Sequence, residues 1–232
     1  MSDLCPLDLY NHSLTGLLMN YTINNITLGN MLKDKVVCHI GSHDAIEFGI
    51  YKHFGVKGAE YFECNKYVYP NLLQRLGNEP GHNAHLACLW SETGKELEFH
   101  FYRNIKDGAG SLYENDKFES YVPDCPMLND SVKVRTNTFD NFVNDGIVSI
   151  ENMVFLNLDV QGAELEVLKG AKTLLSSESL RFIWCEVSWD NLYKGGAQKD
   201  EITEYLSKFN FQLYGVRQDG PNMPQGDALY VR

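Results

Sequence analysis

Two rhythms of apolar residues alternate along this chain. Short runs apolar at every position read as strands covered on both faces. Between them, apolar residues recur every three or four positions, as on one side of a helix. The strand-like runs are Val36–Ile40, Ala59–Glu63, Ala84–Trp90, Met153–Leu158, Leu180–Val187, Phe211–Val216 and Gly226–Arg232. Helices are predicted from about Ala45 to Phe54, stopped by Gly55, from Val68 to Leu76, stopped by Gly77, and from Glu201 to Phe209. Leu97, Phe99 and Phe101 alternate with Glu98, His100 and Tyr102, the pattern of a strand with one buried face. We expect it to form a hairpin inserted between sheet units. Val132–Thr136 reads as a strand, and Thr138 as the N-cap of a helix over Phe139–Val143. Strands alternating with helices predict an α/β fold, with a mostly parallel sheet and helices on both faces. Leu7, Leu9, Leu14, Leu17 and Leu18 suit one or two short helices. Residues 1–35 are therefore expected to form a cap, either on the domain edge or over a substrate cleft. With no repeat or linker, one domain is expected: this cap and a core over 36–232.

The pattern centres on Asn152–Leu175. The strand Met153–Leu158 ends in Asp159, Gln161 and Gly162 make a turn, and a helix starts near Ala163. Leu165, Leu168, Ala171, Leu174 and Leu175 form its apolar face. Gly170 interrupts it at a cost of about 1 kcal/mol relative to Ala, which points to close packing there. An acid at the carboxyl end of a central parallel strand stands where open α/β sheets hold ligands. The same position also suits an N-cap.

The first unit repeats this logic. Val36–Ile40 runs into Gly41, Ser42, His43, Asp44 and Ala45, a turn that lets backbone approach a ligand and aims a helix N-terminus at an anion. An ordinary strand-to-helix turn would look alike. Glu63 ends the second strand about twenty residues on, where a carboxylate can accept both hydrogen bonds of a ribose diol. The end of the third strand, Leu89 and Trp90, would lie beside a base, and Trp90 serves equally as core. Glu186 is a further acid near a strand end. The loop from Asp107 to Leu112 carries two glycines and suits a ligand contact or a plain flexible loop. Residues 113–130, with Pro123 and Pro126, suit an acceptor-binding loop or a surface loop.

Composition narrows the function. The 232 residues are 44% apolar and 22% charged, with a net charge of −11. Such a balance argues against non-specific nucleic-acid binding and against an anionic membrane surface as partner. No apolar run approaches the ~20 residues of a membrane span, and the chain opens on no secretory pattern. Six scattered cysteines read as reduced packing residues of an intracellular, cytoplasmic protein, and the glycosylation tripeptides at Asn11, Asn20, Asn25 and Asn129 as chance. His82 and His85 have ligand-like spacing without a third ligand, so no metal site is assigned to them.

Residues Leu156 to Ala171, reading LNLDVQGAELEVLKGA, resemble the signature of FkbM-type methyltransferases. His39-Ile40-Gly41-Ser42-His43 resembles the opening of one branch of that family, with Glu47 also matching. Asp227 to Val231 resembles the family ending. The wider family carries Asp at the His39 position and a second glycine where Ala45 stands, and it commonly has Pro where Cys64 stands. The resemblance implies a Rossmann-like class I fold over roughly 36–232, with seven strands and an antiparallel last strand. It implies S-adenosylmethionine (SAM) as methyl donor, with His39, Gly41, Ser42, Glu47, Glu63, Cys64, Leu89, Trp90 and Asp159 around it. It further implies O-methylation, by family habit of a sugar or glycan hydroxyl, with a non-sugar small molecule as the other option. Asp159, Glu186 and His43 are the candidates for the base that takes the hydroxyl proton. Were Mg²⁺ to assist, Asp159 and Glu186 would be its oxygen ligands. Two other classes fit parts of the pattern: a nicotinamide oxidoreductase, which would want a fuller glycine turn, and a non-catalytic binding module of the same fold.

Overall fold

The computed structural model describes residues 14–102, 104–106, 108–121 and 130–232. The chain opens with α1 (Leu14–Asn20), a tiny hairpin of β1 (Thr22–Ile23) and β2 (Ile26–Thr27), and α2 (Leu28–Met31). Then come β3 (Val36–Ile40), α3 (Phe48–His53), β4 (Gly58–Glu63), α4 (Tyr69–Leu76), β5 (His82–Leu86), β6 (Cys88–Leu89) and β7 (Glu96–Phe101). Next are α5 (Phe118–Tyr121), β8 (Asp130–Asn137), α6 (Phe139–Asn144), β9 (Met153–Leu158), α7 (Glu164–Lys169) and α8 (Lys172–Ser176). Finally come β10 (Phe182–Ser188), α9 (Lys199–Ser207), β11 (Gln212–Gln218) and β12 (Gln225–Val231).

Seven strands form one sheet in the order β11-β12-β10-β9-β3-β4-β5. The pairs β10–β9, β9–β3, β3–β4 and β4–β5 are parallel, and β12 runs antiparallel to both its neighbours. This is the arrangement expected from the sequence. Side chains alternate between two cores. Cys38, Ile40, Leu156, Leu158, Ile183 and Cys185 pack with α6 to α9 on one face. Val37, Phe155, Phe182 and Trp184 pack with α1 to α4 on the other. Burial on both parities is why these strands read as unbroken apolar runs. Leu14, Leu17 and Leu18 join the second core, so the described part of the N-terminal cap covers the sheet; Leu7 and Leu9 lie outside the described residues.

Four elements differ from the pattern. Ala84–Trp90 is not one strand. β5 ends at Leu86, and β6 turns away to pair with β8 (Cys88 opposite Thr136). β7 also pairs with β8, antiparallel, so β6, β8 and β7 make a separate three-stranded sheet rather than an inserted hairpin. An apolar run does not reveal its partner, and here the partner is supplied by Asp130–Asn137. The helix expected from Ala163 is two helices parted at Gly170. A Cβ there would stand 2.0 Å from the Trp90 carbonyl oxygen, and the Gly170 carbonyl accepts from Asp140 N–H at 3.0 Å. The helix expected from Ala45 begins at Phe48, because His43 (φ 48°) and Ala45 (φ 51°) are in the left-handed region. Ala45 is the position where the wider family has glycine, the residue that adopts this backbone without strain.

Cys38, Cys64, Cys88 and Cys185 are free thiols; Cys5 and Cys125 lie outside the described residues, as do Pro123 and Pro126. His82 and His85 serve structure: His82 Nδ1 pairs with the Tyr61 hydroxyl at 3.1 Å and His85 Nε2 with Glu60 at 2.7 Å. No helix among the described residues is long and apolar enough to cross a membrane.

Candidate functional site

The site forms where β3, β4 and β9 end. Gly41 has φ +76°, and a Cβ there would lie 1.6 Å from the Asp159 carbonyl oxygen. Only glycine lets the first turn and the Asp159 turn meet this closely. The contact is fixed from both sides. Asp159 N–H donates to the Ile40 carbonyl at 3.0 Å, and Gly41 and Ser42 N–H both donate to the Phe62 carbonyl at 2.9 and 3.0 Å. Glu63 is buried, and its two carboxylate oxygens accept from His43 N–H at 2.7 Å and Asn65 N–H at 2.6 Å. Backbone amides thus fix its orientation while each oxygen keeps a lone pair.

Two clefts adjoin here, sharing Gly41, His43, Gly108 and Asp159. The first, of about 550 Å³ including its open mouth, is walled by apolar Ile40, Phe62, Ala87, Leu89, Phe99 and Leu112, with Glu63, Cys64 and Asn65 at one end. The second, of about 920 Å³ on the same measure, is polar and acidic. His39, Ser42, Asp44, Glu47, Asn157, Asp159, Arg217 and Asp227 line it, together with Leu14 of α1. The segment after β7 folds over the junction: the Lys106 carbonyl meets His43 Nε2 at 2.9 Å, and the Ile105 carbonyl accepts from Asn65 Nδ2 at 2.8 Å. Asp107 lies outside the described residues.

Beneath the junction lies a group of acids. Asp159, Glu164 and Glu186 each bring a carboxylate oxygen within 4.8 Å of the others. Burial pushes Asp159 up to about 6 and Glu164 up to about 7, and it raises Glu186 well above the usual carboxylate range. Asp227, held up at about 7 by burial and by Asp159, shares Arg217 with Asp219 (2.6 and 2.7 Å). The Gln161 side-chain nitrogen stands among these acids, 2.7 Å from Asp159 Oδ1 and 3.1 and 3.0 Å from the Glu186 oxygens. This amide holds the place a bridging cation would need, and Glu164 Oε1 already accepts from Val160 and Gly162 N–H at 3.0 and 3.1 Å. In this arrangement the Gln161 amide, not a cation, links Asp159 and Glu186.

Asp159 does not cap α7. The N-cap position is Ala163 with no side-chain cap bond, and the carboxylate of Asp159 turns to Gln161 instead. Of the residues singled out from the sequence, Glu63, Cys64 and Leu89 line the first cleft, His39, Ser42 and Glu47 the second, and Gly41, His43 and Asp159 both. Glu186 reaches the junction through Gln161 and through a direct carboxyl contact with Asp159. Trp90 is in neither lining; its ring packs 5.6 Å from that of Tyr113. His39 is buried, with Nε2 against Asn157 Nδ2 at 2.9 Å and Nδ1 without a partner, and burial lowers its pKa. Sequence reasoning missed Gln161, Glu164, Asn65 and Arg217 as site residues. Gln161 stood in the motif only as a turn residue.

No curated protein sequence matches this chain. Among solved structures, a fibrillarin/Nop5p complex is similar at TM-score 0.51 and 11% identity, covering 94% of this chain and 79% of that one. Aeropyrum pernix fibrillarin with bound S-adenosyl-L-methionine gives 0.49 and 12%, covering 96% and 76%. A Listeria monocytogenes protein gives 0.47 and 7%, covering 88% of this chain and 64% of that one. At 11% identity the likeness to the fibrillarin/Nop5p complex speaks for the fold alone. The model of the methyltransferase FkbM domain matches residues 36–213, well over half of the sequence; it takes in β3, β4, β5, β9 and β10 of the cleft-bearing sheet, stops two residues into β11 and leaves out β12. With that match over more than half of the sequence, the chain belongs to the FkbM methyltransferase domain family.

Proposed function

We propose that this protein is a SAM-dependent O-methyltransferase whose acceptor is a sugar hydroxyl. The observation that carries the reading is Glu63, fixed by two backbone amides at the end of an apolar slot that opens onto Asp159. A flat base suits the slot between Ile40, Leu89 and Phe99, and Glu63 suits the ribose diol. The donor's other end then falls to the second cleft. With Asn157 donating to its Nε2, His39 carries its proton on Nδ1, which is buried beside this cleft without a partner. The Gly41 backbone supplies the close approach.

When bound, SAM supplies an electrophilic methyl group on a sulfonium. The residues here then orient the acceptor and take its proton. Asp159, at the junction of both clefts and raised to about 6, is the base we assign. His43 is the weaker candidate, because its Nε2 is engaged by the Lys106 carbonyl and its Nδ1 faces Asp44 at 3.4 Å. Glu186 backs Asp159 both directly and through Gln161. The acids of the second cleft favour an uncharged or cationic acceptor over a polyanion such as RNA. The free thiols fit a reducing compartment such as the cytoplasm. The experiment is transfer of isotope-labelled methyl from SAM to a panel of methyl glycosides and amino sugars, with the product mapped by NMR. A methyl ether on a sugar supports the reading; label found only on nitrogen, carbon or nucleic acid refutes it.

A further inference from the structure

The segments 108–121 and 189–196 are laced together above the acid group. Lys194 N–H donates to the Glu114 carbonyl at 2.8 Å, and Asp116 N–H to the Leu192 carbonyl at 2.9 Å. Ion pairs Lys117–Asp190 and Lys194–Glu114, both 2.7 Å, sit outside a small core of Tyr102, Leu192 and Tyr193. This clasp touches the Asp159 turn at three points. Ser111 Oγ donates to the Gln161 carbonyl at 2.7 Å, the Tyr193 hydroxyl donates to Gln161 Oε1 at 2.7 Å, and the Tyr193 ring fills the space beside Gly162. Gln161 itself has φ 55°, a backbone state that a long side chain adopts at a cost, and it is 9% exposed.

We propose that Gln161 is a positioning residue: its amide, oriented by Tyr193 of the clasp, sets the Asp159 and Glu186 carboxylates. The amide group has two ends. Once Tyr193 occupies the oxygen, the nitrogen must face the acids, so neither carboxylate rotates freely. A buried network of this kind holds one geometry when every member is satisfied. Glu164 from α7, Asp227 from β12, Asp219 after β11 and Glu47 before α3 face the same acids, and of these groups only the Gln161 side chain donates to both Asp159 and Glu186. The catalytic consequence rests on the proposed function above; the positioning itself does not.

The test needs no acceptor. In ¹⁵N-labelled protein, the Gln161 side-chain amide signal is assigned by its loss in Gln161→Met, or in Gln161→Asn should the first variant not fold. We expect that signal to move in both Tyr193→Phe and Glu186→Gln. In equilibrium unfolding, Tyr193→Phe and Glu186→Gln are expected to be non-additive by about five-fold in the unfolding constant. That coupling is expected to vanish in the Gln161→Met or Gln161→Asn background. An unmoved amide signal, additive variants, or coupling that persists without Gln161 would each overturn the proposal. With an acceptor in hand, Tyr193→Phe lowers kcat by about 10- to 100-fold while affinity for S-adenosylhomocysteine holds, since Tyr193 lines neither cleft. A folded protein that binds neither SAM nor S-adenosylhomocysteine would instead sink the functional reading and leave the coupling result standing.

Discussion

Glu164→Gln offers a clean perturbation of the acid group. Glu164 is 2% exposed, and its Oε1 accepts from Val160 and Gly162 N–H. Gln keeps that acceptor oxygen and the side-chain volume while removing the charge. Burial first, and Asp159 second, raise the Glu164 carboxyl from 4.5 to about 7. The unfolded chain therefore loses this proton near pH 4.5, and the folded protein keeps it until about pH 7. Between those values the folded state binds more protons, so the group's contribution to stability falls as pH rises. The rise from 4.5 to about 7 corresponds to about 3 kcal/mol. That penalty is absent below about pH 4.5 and complete above about pH 7. Urea unfolding of both proteins from pH 4 to 9 measures it. The variant should be close to wild type at pH 4 and gain about 3 kcal/mol on it by pH 8, on the same order as the charge penalty. A flat difference, or a wild type that gains on the variant with rising pH, would show that the buried acids are not held in their neutral forms.

Two glycine substitutions probe the close approaches. Gly41→Ala places a methyl 1.6 Å from the Asp159 carbonyl oxygen at φ +76°. The backbone strain alone costs roughly 1–2 kcal/mol, and the clash must displace the Asp159 turn. Thermal melting should register a loss of several degrees, and calorimetry a weaker SAM affinity; a melt within a degree of wild type would contradict the contact. Gly170→Ala would ordinarily gain about 1 kcal/mol of helix propensity. Here its Cβ meets the Trp90 carbonyl oxygen at 2.0 Å, so we expect a loss of about 1–3 kcal/mol. A more stable variant would show that the packing of the α7–α8 break on β6 is loose.

The parts of the fold legible in the sequence are those whose burial is complete. β3, β4, β9 and β10 are covered on both faces, so their apolar runs mark them within a residue or two. The β5–β6 break was not legible, because it depends on pairing with Asp130–Asn137, and pairing leaves no mark in a single run. The strand-end acids Asp159, Glu63 and Glu186 could be picked out by position alone. Their neighbours could not. Gln161 acquires its role from Glu186 and Tyr193, 25 and 32 residues further on, and the burial and amide partners of Glu164 arise only from the fold of the Asp159 turn.

The function proposed for this protein requires that the slot beside Glu63 hold the donor. The most direct measurement is calorimetric titration with SAM and S-adenosylhomocysteine of wild type and of Glu63→Ala. Removing the carboxylate strands the amides of His43 and Asn65 and deletes the ribose acceptor, a loss of about 1–3 kcal/mol in binding. Wild type is expected to bind both compounds, and Glu63→Ala to bind each about 5- to 150-fold more weakly, the same range in affinity. Equal affinities in a folded Glu63→Ala, or a folded wild type that binds neither, would contradict the proposed function.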